Sequence, residues 1–99
     1  MARIVWTYEA ENWLKDIFNY IARDNTKAAS NVVNGIFNKT QILLDQPLIG
    51  YKYEHESDKE IRILLYGHYR ITYIIESDDV ITILGVFHGA LQIEDYLIL

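Results

Sequence analysis

The residues from Ile61 to His88 constrain the fold more than any other part of the chain. They read IRILLYGHYRITYIIESDDVITILGVFH, and β-branched and aromatic residues dominate the run. Residues of these types favour β-strands. Turn-forming residues interrupt the run twice, at Tyr66-Gly67-His68 and at Ser77-Asp78-Asp79. The pattern predicts three antiparallel strands joined by two tight turns.

Apolar side chains occupy nearly all the odd-numbered positions of these three strands. Successive side chains of a strand point to opposite faces of the sheet, so we expect the odd positions to form the buried face. Keeping them together requires odd residues to pair with odd residues, which means loops of odd length. The prediction therefore places Arg62, Arg70 and His88 together on the opposite, open face.

The residues before this stretch predict a helical hairpin. Thr7 has the profile of an N-cap for an amphipathic helix that runs to about Arg23. Asn25 or Thr26 can cap a second amphipathic helix that runs to about Leu44. Because the link between them is short, the two helices are expected to be antiparallel.

A short strand-like run at Arg3–Trp6 precedes the helices, so the predicted order of elements is β-α-α-β-β-β. This order predicts an α+β fold in which the N-terminal helical hairpin packs on one face of a small antiparallel sheet. A chain of 99 residues can bury enough surface to fold alone, so residues 1–99 are expected to form a single domain.

Composition and charge restrict the classes of function. The formal net charge of −5 argues against strong nonspecific binding to nucleic acid, which rests on Lys and Arg displacing counterions from phosphates. The absence of cysteine is consistent with a reducing compartment, and no apolar run approaches the roughly 20 residues that span a membrane. We therefore expect a cytoplasmic protein without a membrane segment.

The sequence contains no phosphate-binding glycine loop and no nucleophile elbow. Its three histidines, His55, His68 and His88, are far apart in sequence, so we expect neither a metal site nor a cofactor. The remaining candidate is the polar face with Arg62, Arg70 and His88. Arginine forks bind phosphate and a histidine can transfer a proton, so this set fits a metal-independent cleavage of RNA. The alternative is that these side chains are simply solvated.

Several segments, in their order and spacing, resemble the RelE/ParE superfamily, the toxins of type II toxin-antitoxin (plasmid stabilisation) modules. The resemblance covers nearly the whole chain. It rests on the opening strand with Trp6, the helix pattern Ala10, Leu14, Ile17, Tyr20-Ile21, the turn Pro47-Leu48-Ile49-Gly50, Arg62, the stretch Gly67-His68-Tyr69-Arg70-Ile71-Thr72-Tyr73, and the stretch Ile83-Leu84-Gly85-Val86-Phe87-His88-Gly89.

The resemblance implies a small toxin that arrests growth and is neutralised in a hetero-oligomer by a cognate antitoxin. Some members of this superfamily are ribosome-dependent mRNA endonucleases, and the resemblance implies that their catalytic residues correspond to Arg70 and His88. Arg62 and Glu54 or Glu56 are the nearest equivalents of the further catalytic groups. Apolar side chains on the helical hairpin and the tail give an antitoxin a surface to bury, so we expect Trp13, Tyr20, Leu91 and Ile93 to bind it.

Two features depart from the nuclease pattern. The chain lacks the dense lysine and arginine of ribosome-binding members. Its tail resembles the longer ending of ParE-like members, which poison DNA gyrase by binding, except that Leu91-Gln92 stands where Arg-Asp is often found. Gyrase and translating mRNA both remain possible targets, and a nontoxic antitoxin-binding module is the alternative from a different class.

Overall fold

The computed structural model of the chain describes residues 2–53, 59–77 and 79–89. These residues form two α-helices packed against a five-stranded sheet, which confirms the predicted α+β class. In chain order the elements are β1 (Arg3–Trp6), α1 (Tyr8–Ala22), α2 (Thr26–Thr40), a short 3₁₀ helix (Gln41–Leu44), β2 (Tyr51–Tyr53), β3 (Ile61–Tyr66), β4 (Tyr69–Ser77) and β5 (Val80–His88).

Both helices begin at the residues that the sequence indicates. The Thr7 hydroxyl accepts a hydrogen bond from the Ala10 N–H at 3.0 Å, and the Asn25 side-chain oxygen accepts one from the Ala28 N–H at 2.9 Å. Each cap satisfies a backbone donor that has no partner within its helix. The second helix ends at Thr40, and the 3₁₀ turn continues to Leu44, where the helical region was predicted to end.

The sheet has the strand order β1-β5-β4-β3-β2 and is mixed rather than antiparallel throughout. β1 runs parallel to β5 and pairs only with Val80–Ile83. β1 and β2 are the two edge strands, so the helical hairpin between them crosses one face of the sheet from edge to edge. The short strand β2 lies in a segment predicted as a loop or irregular strand, and it forms the edge beside β3.

The register of the sheet contradicts the predicted pairing of odd residues with odd residues. β3 and β4 pair odd with even, as in Leu64↔Ile71 and Tyr66↔Tyr69, because the turn between them has two residues, Gly67 and His68. Gly67 has φ +57°, and glycine with positive φ at the first central position is typical of a two-residue type II′ turn.

A second irregularity changes the alternation within β5. Thr72 pairs with Gly85, and the next residue, Tyr73, pairs with Ile83, so Leu84 is an extra residue that forms a bulge. Residues that pair directly have side chains on the same face. The helix-facing side chains are therefore the even residues of β3, the odd residues of β4, and the odd residues of β5 before the bulge but the even residues after it.

The main core lies between this face and the helices. Its fully or nearly fully buried members come from both helices, the 3₁₀ turn and three strands: Ala10, Ile36, Leu43, Leu64, Ile71, Tyr73, Ile81, Ile83 and Val86. The other face was predicted to be open, and this is wrong. Ile61, Ile63, Thr72, Ile74 and Phe87 project from it, and all five are buried.

No helix in the described part of the chain is both long enough and apolar enough to cross a membrane.

Candidate functional site

Arg62 holds a loop in place. Its Nη1 donates to the carbonyl oxygens of Leu48 at 3.1 Å and Gly50 at 2.7 Å. Its Nε donates to the Glu60 carboxylate at 2.9 Å, and its side chain is only 13% exposed. The Nε and Nη1 donors of this guanidinium are therefore used within the chain, and Arg62 lies on the helix-facing side of β3 rather than on an open face.

Tyr73 binds the same loop from the centre of the sheet. Its hydroxyl donates to the Pro47 carbonyl oxygen at 2.7 Å and accepts from the Gly50 N–H at 3.0 Å. Burial raises the pKa of the Tyr73 hydroxyl above its ordinary value. We call Arg62, Tyr73 and the loop Pro47–Gly50 the loop clamp. It leaves Leu48 and Ile49 exposed while their backbone is fixed.

Glu60 completes the outer part of the loop clamp. Its carboxylate lies 3.2 Å from the Lys52 ammonium and 2.9 Å from Arg62 Nε. Hydrogen bonds from Lys52 and Arg62 hold the pKa of the Glu60 carboxyl below its usual value. This ion-pair group is structural, since it joins β2 to the start of β3.

Arg70 and His88 do not share a face, so the predicted common site of Arg62, Arg70 and His88 is wrong in its geometry. Arg70 pairs with Phe87 and projects with it from the second face, whereas His88 pairs with Tyr69 on the helix-facing side. Arg62 shares His88's face, but its register position opposite Tyr73 is four residues, or about 13 Å, along β4 from Tyr69. The two-residue turn between β3 and β4 and the bulge at Leu84 in β5 separate these three side chains.

One contact still connects Arg70 with the end of β5. Arg70 Nη2 lies 3.5 Å from the carbonyl oxygen of His88. The guanidinium therefore reaches the backbone of His88 but approaches it from the face opposite the imidazole. The roles of Arg62, Arg70 and His88 in catalysis remain predictions.

A groove of about 520 Å³ lies between α1 and the adjoining ends of β4 and β5. Apolar and aromatic side chains form most of it, with one carboxylate and one imidazole. Its lining residues are Trp13, Asp16, Ile17, Tyr20, Ile21, Tyr69, Val86 and His88. We call it the α1 groove. It brings together Trp13, Tyr20 and His88, which the sequence assigned to two different sites.

Trp13 and Tyr20 have different surroundings within the α1 groove. The Trp13 ring meets the Phe87 ring edge to face with 4.8 Å between centroids, and it also packs against the main core. It can reach Phe87 because β1 pairs only as far as Ile83 and leaves that side of β5 to α1. Tyr20 is 72% exposed, with the Arg23 guanidinium 5.9 Å from its ring centroid. An exposed aromatic ring beside an apolar groove is suited to contact with a partner.

Sequence reasoning did not assign a role to His68, Tyr69 or Asp16. The ring centroids of His68 and His88 are 6.2 Å apart, and the Tyr69 ring meets His88 edge to face at 6.0 Å. The glycine at the first central position of a two-residue turn was the available signal, because it predicts a turn that brings His68 beside the end of β5. The predicted residues Leu91, Ile93, Glu54 and Glu56 lie outside the described residues.

Comparison with known proteins identifies the family. The family model described as ParE toxin of type II toxin-antitoxin system, parDE, matches residues 4–93. The chain belongs to the ParE toxin family. No curated protein sequence matches it.

Solved structures show the same fold. A chain of the chromosomal ParDE system from P. aeruginosa superposes with a TM-score of 0.74 and 20% identity, covering 89% of this ParE family member and 96% of that chain. A chain of the RelBE2 toxin-antitoxin complex from Mycobacterium tuberculosis superposes with a TM-score of 0.58 and 22% identity, covering 88% of this chain and 96% of that one. Both α1 and β5, which border the α1 groove, lie within the family match.

Proposed function

We propose that this ParE family member arrests growth by binding and inhibiting DNA gyrase, and that a cognate antitoxin neutralises it. The family match across residues 4–93 supports a toxin. Gyrase is favoured over RNA as the target because Arg62 is committed to the loop clamp, and because Arg70 and His88 project from opposite faces. A binding mechanism needs no assembled catalytic triad.

Ribosome-dependent cleavage of mRNA is the second candidate. The exposed His88 imidazole, with His68 and Tyr69 beside it, favours this alternative because a histidine can take the proton of a ribose 2′-hydroxyl. Arg70 would act from the other side of β5 by binding the phosphate. A nontoxic antitoxin-binding module is the third alternative.

The α1 groove is the surface that we assign to the antitoxin. It is concave and largely apolar, and it has an exposed aromatic residue, Tyr20, at its edge. An antitoxin segment that folds on binding commonly buries on the order of 1,000–3,000 Å², so the groove would be one anchor of a longer interface. Leu91 and Ile93 remain proposed as further antitoxin contacts.

The first experiment induces the chain alone in bacteria and follows growth. We expect growth to stop and the SOS response to be induced, as gyrase poisoning would cause. Purified chain should also inhibit supercoiling by gyrase in vitro. Unimpaired growth with soluble chain present would favour the nontoxic module. Growth arrest without an SOS response, with mRNA cut on ribosomes, would favour the nuclease.

A double variant separates the two toxic mechanisms within one chain. Arg70→Ala combined with His88→Ala removes both proposed catalytic groups of the nuclease. If the chain acts on gyrase by binding, the double variant should still arrest growth and induce the SOS response. Loss of toxicity, with gyrase inhibition by the purified chain absent before and after substitution, would support RNA cleavage instead. Circular dichroism and thermal unfolding of the double variant control for folding, since His88 lies in the groove that we assign to the antitoxin.

A further inference from the structure

We propose that His68 and His88 form a surface site for a borderline transition-metal ion such as Zn²⁺, Ni²⁺ or Cu²⁺. The two residues are 20 positions apart in sequence, and the fold places them side by side at the end of the sheet where β4 begins and β5 ends. Both are exposed, and their ring centroids are 6.2 Å apart. The proposal does not depend on the target of the toxin.

The separation of the rings fits a shared ion. Metal–nitrogen distances of about 2.0–2.1 Å place two imidazoles on one tetrahedral or more open site with ring centroids roughly 5 to 6.5 Å apart. The observed separation lies within this range, towards its upper end. Rotation of the two exposed side chains would direct a nitrogen of each ring at the same ion.

The backbone around the pair is held by the sheet. The Gly89 N–H donates to the His68 carbonyl oxygen at 2.8 Å, which joins the turn to the residue after His88. Tyr69, the residue after His68, pairs with His88, and its ring meets the His88 ring edge to face. The two imidazoles are therefore presented from a fixed framework, which reduces the conformational cost of chelation.

The ligand type decides the class of ion. Imidazole suits Zn²⁺, Ni²⁺ and Cu²⁺, whereas Mg²⁺ and Ca²⁺ require oxygen ligands. Two protein ligands leave further coordination positions for water or for another donor. Asp16 is the acidic residue among those that line the same groove as His88. Within the described residues no set of three or more potential metal ligands occurs, so the site is an open, two-histidine one.

The test is calorimetric titration of the full chain, without a polyhistidine tag, with ZnCl₂ and separately with NiCl₂ in buffer free of chelators. We expect saturable binding of one ion per chain, unaffected by Mg²⁺. His68→Ala and His88→Ala should each weaken it by on the order of a hundredfold, because the second ligand then no longer acts intramolecularly. His55→Ala is the matched control and should bind as the unmodified chain does.

A second measurement does not depend on the variants. In an NMR titration of the unmodified chain, the ring protons of both His68 and His88 should shift together with added Zn²⁺. The proposal is overturned if binding is not saturable, if either single variant binds as the unmodified chain does, or if His55→Ala weakens binding as much as His68→Ala. Circular dichroism should show unchanged secondary structure, since both substituted side chains are exposed.

Discussion

The loop clamp and the α1 groove lie on the same side of the sheet but use their polar residues differently. In the loop clamp, Arg62 and Tyr73 direct all the hydrogen bonds described above to the chain's own backbone and to Glu60. In the α1 groove, Asp16, Tyr20 and His88 line an open concavity. The difference indicates that Arg62 stabilises the fold. The residues suited to binding a partner lie at the opposite end of the sheet, where β4 begins and β5 ends.

Substitutions in the two regions should have opposite effects on stability and binding. Substitution in the loop clamp should lower the free energy of unfolding and affect binding only through folding. Substitution of an exposed side chain of the α1 groove, such as Tyr20, should leave that free energy nearly unchanged and weaken binding. The four variants below test this separation, in order of decreasing expected effect.

Arg62→Ala should have the largest effect, a loss of about 3 kcal/mol in the free energy of unfolding. The substitution leaves the carbonyl oxygens of Leu48 and Gly50 without their charged donor. Urea denaturation followed by circular dichroism measures the loss, with Lys15→Ala on the exposed surface of α1 as the control. If Arg62→Ala is as stable as that control but abolishes toxicity, Arg62 belongs to a functional site after all.

Tyr73→Phe should destabilise by about 2 kcal/mol, since the Gly50 N–H and the Pro47 carbonyl oxygen lose their shared partner. The variant should also change how the free energy of unfolding depends on pH. Because the pKa of Tyr73 is raised in the folded state, its hydroxyl contributes stability below the ordinary pKa of 10.0, and this contribution is lost as the pH rises further. Denaturation between neutral and alkaline pH should show a shallower decline for Tyr73→Phe than for the unmodified chain.

Tyr20→Ala should weaken antitoxin binding by more than about 1 kcal/mol, which is roughly fivefold or more, because exposed aromatic residues are frequent anchors in interfaces. Its free energy of unfolding should change little, since the side chain is 72% exposed. Calorimetry with the antitoxin encoded by the adjacent gene measures the affinity, and Tyr8→Ala, equally exposed at 74%, is the matched control. Equal affinities for the two variants would remove Tyr20 from the interface.

Glu60→Gln should have the smallest effect, since surface ion pairs contribute little. The direction in which Glu60 changes the stability with pH is nevertheless defined. The pKa of Glu60 is lowered in the folded state, so the carboxylate contributes stability above its ordinary pKa of 4.5 and loses this contribution as the pH falls through the lowered value. Glu60→Gln should therefore lose slightly less stability on acidification than the unmodified chain. A larger loss than that of Tyr73→Phe would show that the outer ion pairs dominate the loop clamp.

Local signals account for the parts of the fold that could be predicted. Thr7 and Asn25 cap helices through side chains that act within three residues, so the sequence around them is sufficient. The order of elements followed from the same kind of pattern, except for the short strand β2. The packing of the helical hairpin on one face of the sheet was predicted from that order.

The faces on which the candidate site residues lie could not be predicted from alternation along a strand. Four consecutive residues of β4, Ile71 to Ile74, are all buried, so both faces of this strand are core and neither identifies the register. The Leu84 bulge then reverses the alternation within β5. The role of Arg62 was also hidden, because its acceptors lie 12 and 14 residues earlier in the chain.

The extra residue at Leu84 determines which of the last two side chains of β5 reaches the α1 groove. If Leu84 paired regularly with Thr72 instead of forming a bulge, each later residue would pair one position further along β4, and Phe87 and His88 would exchange faces. Regular pairing of Leu84 is therefore equivalent to replacing the groove-facing imidazole with a phenyl ring, although no side chain is altered, whereas deletion of Leu84 would leave both rings on their present faces. When toxins of this family are aligned, residues at the end of the last strand have comparable surroundings only where they pair with the same positions of the neighbouring strand.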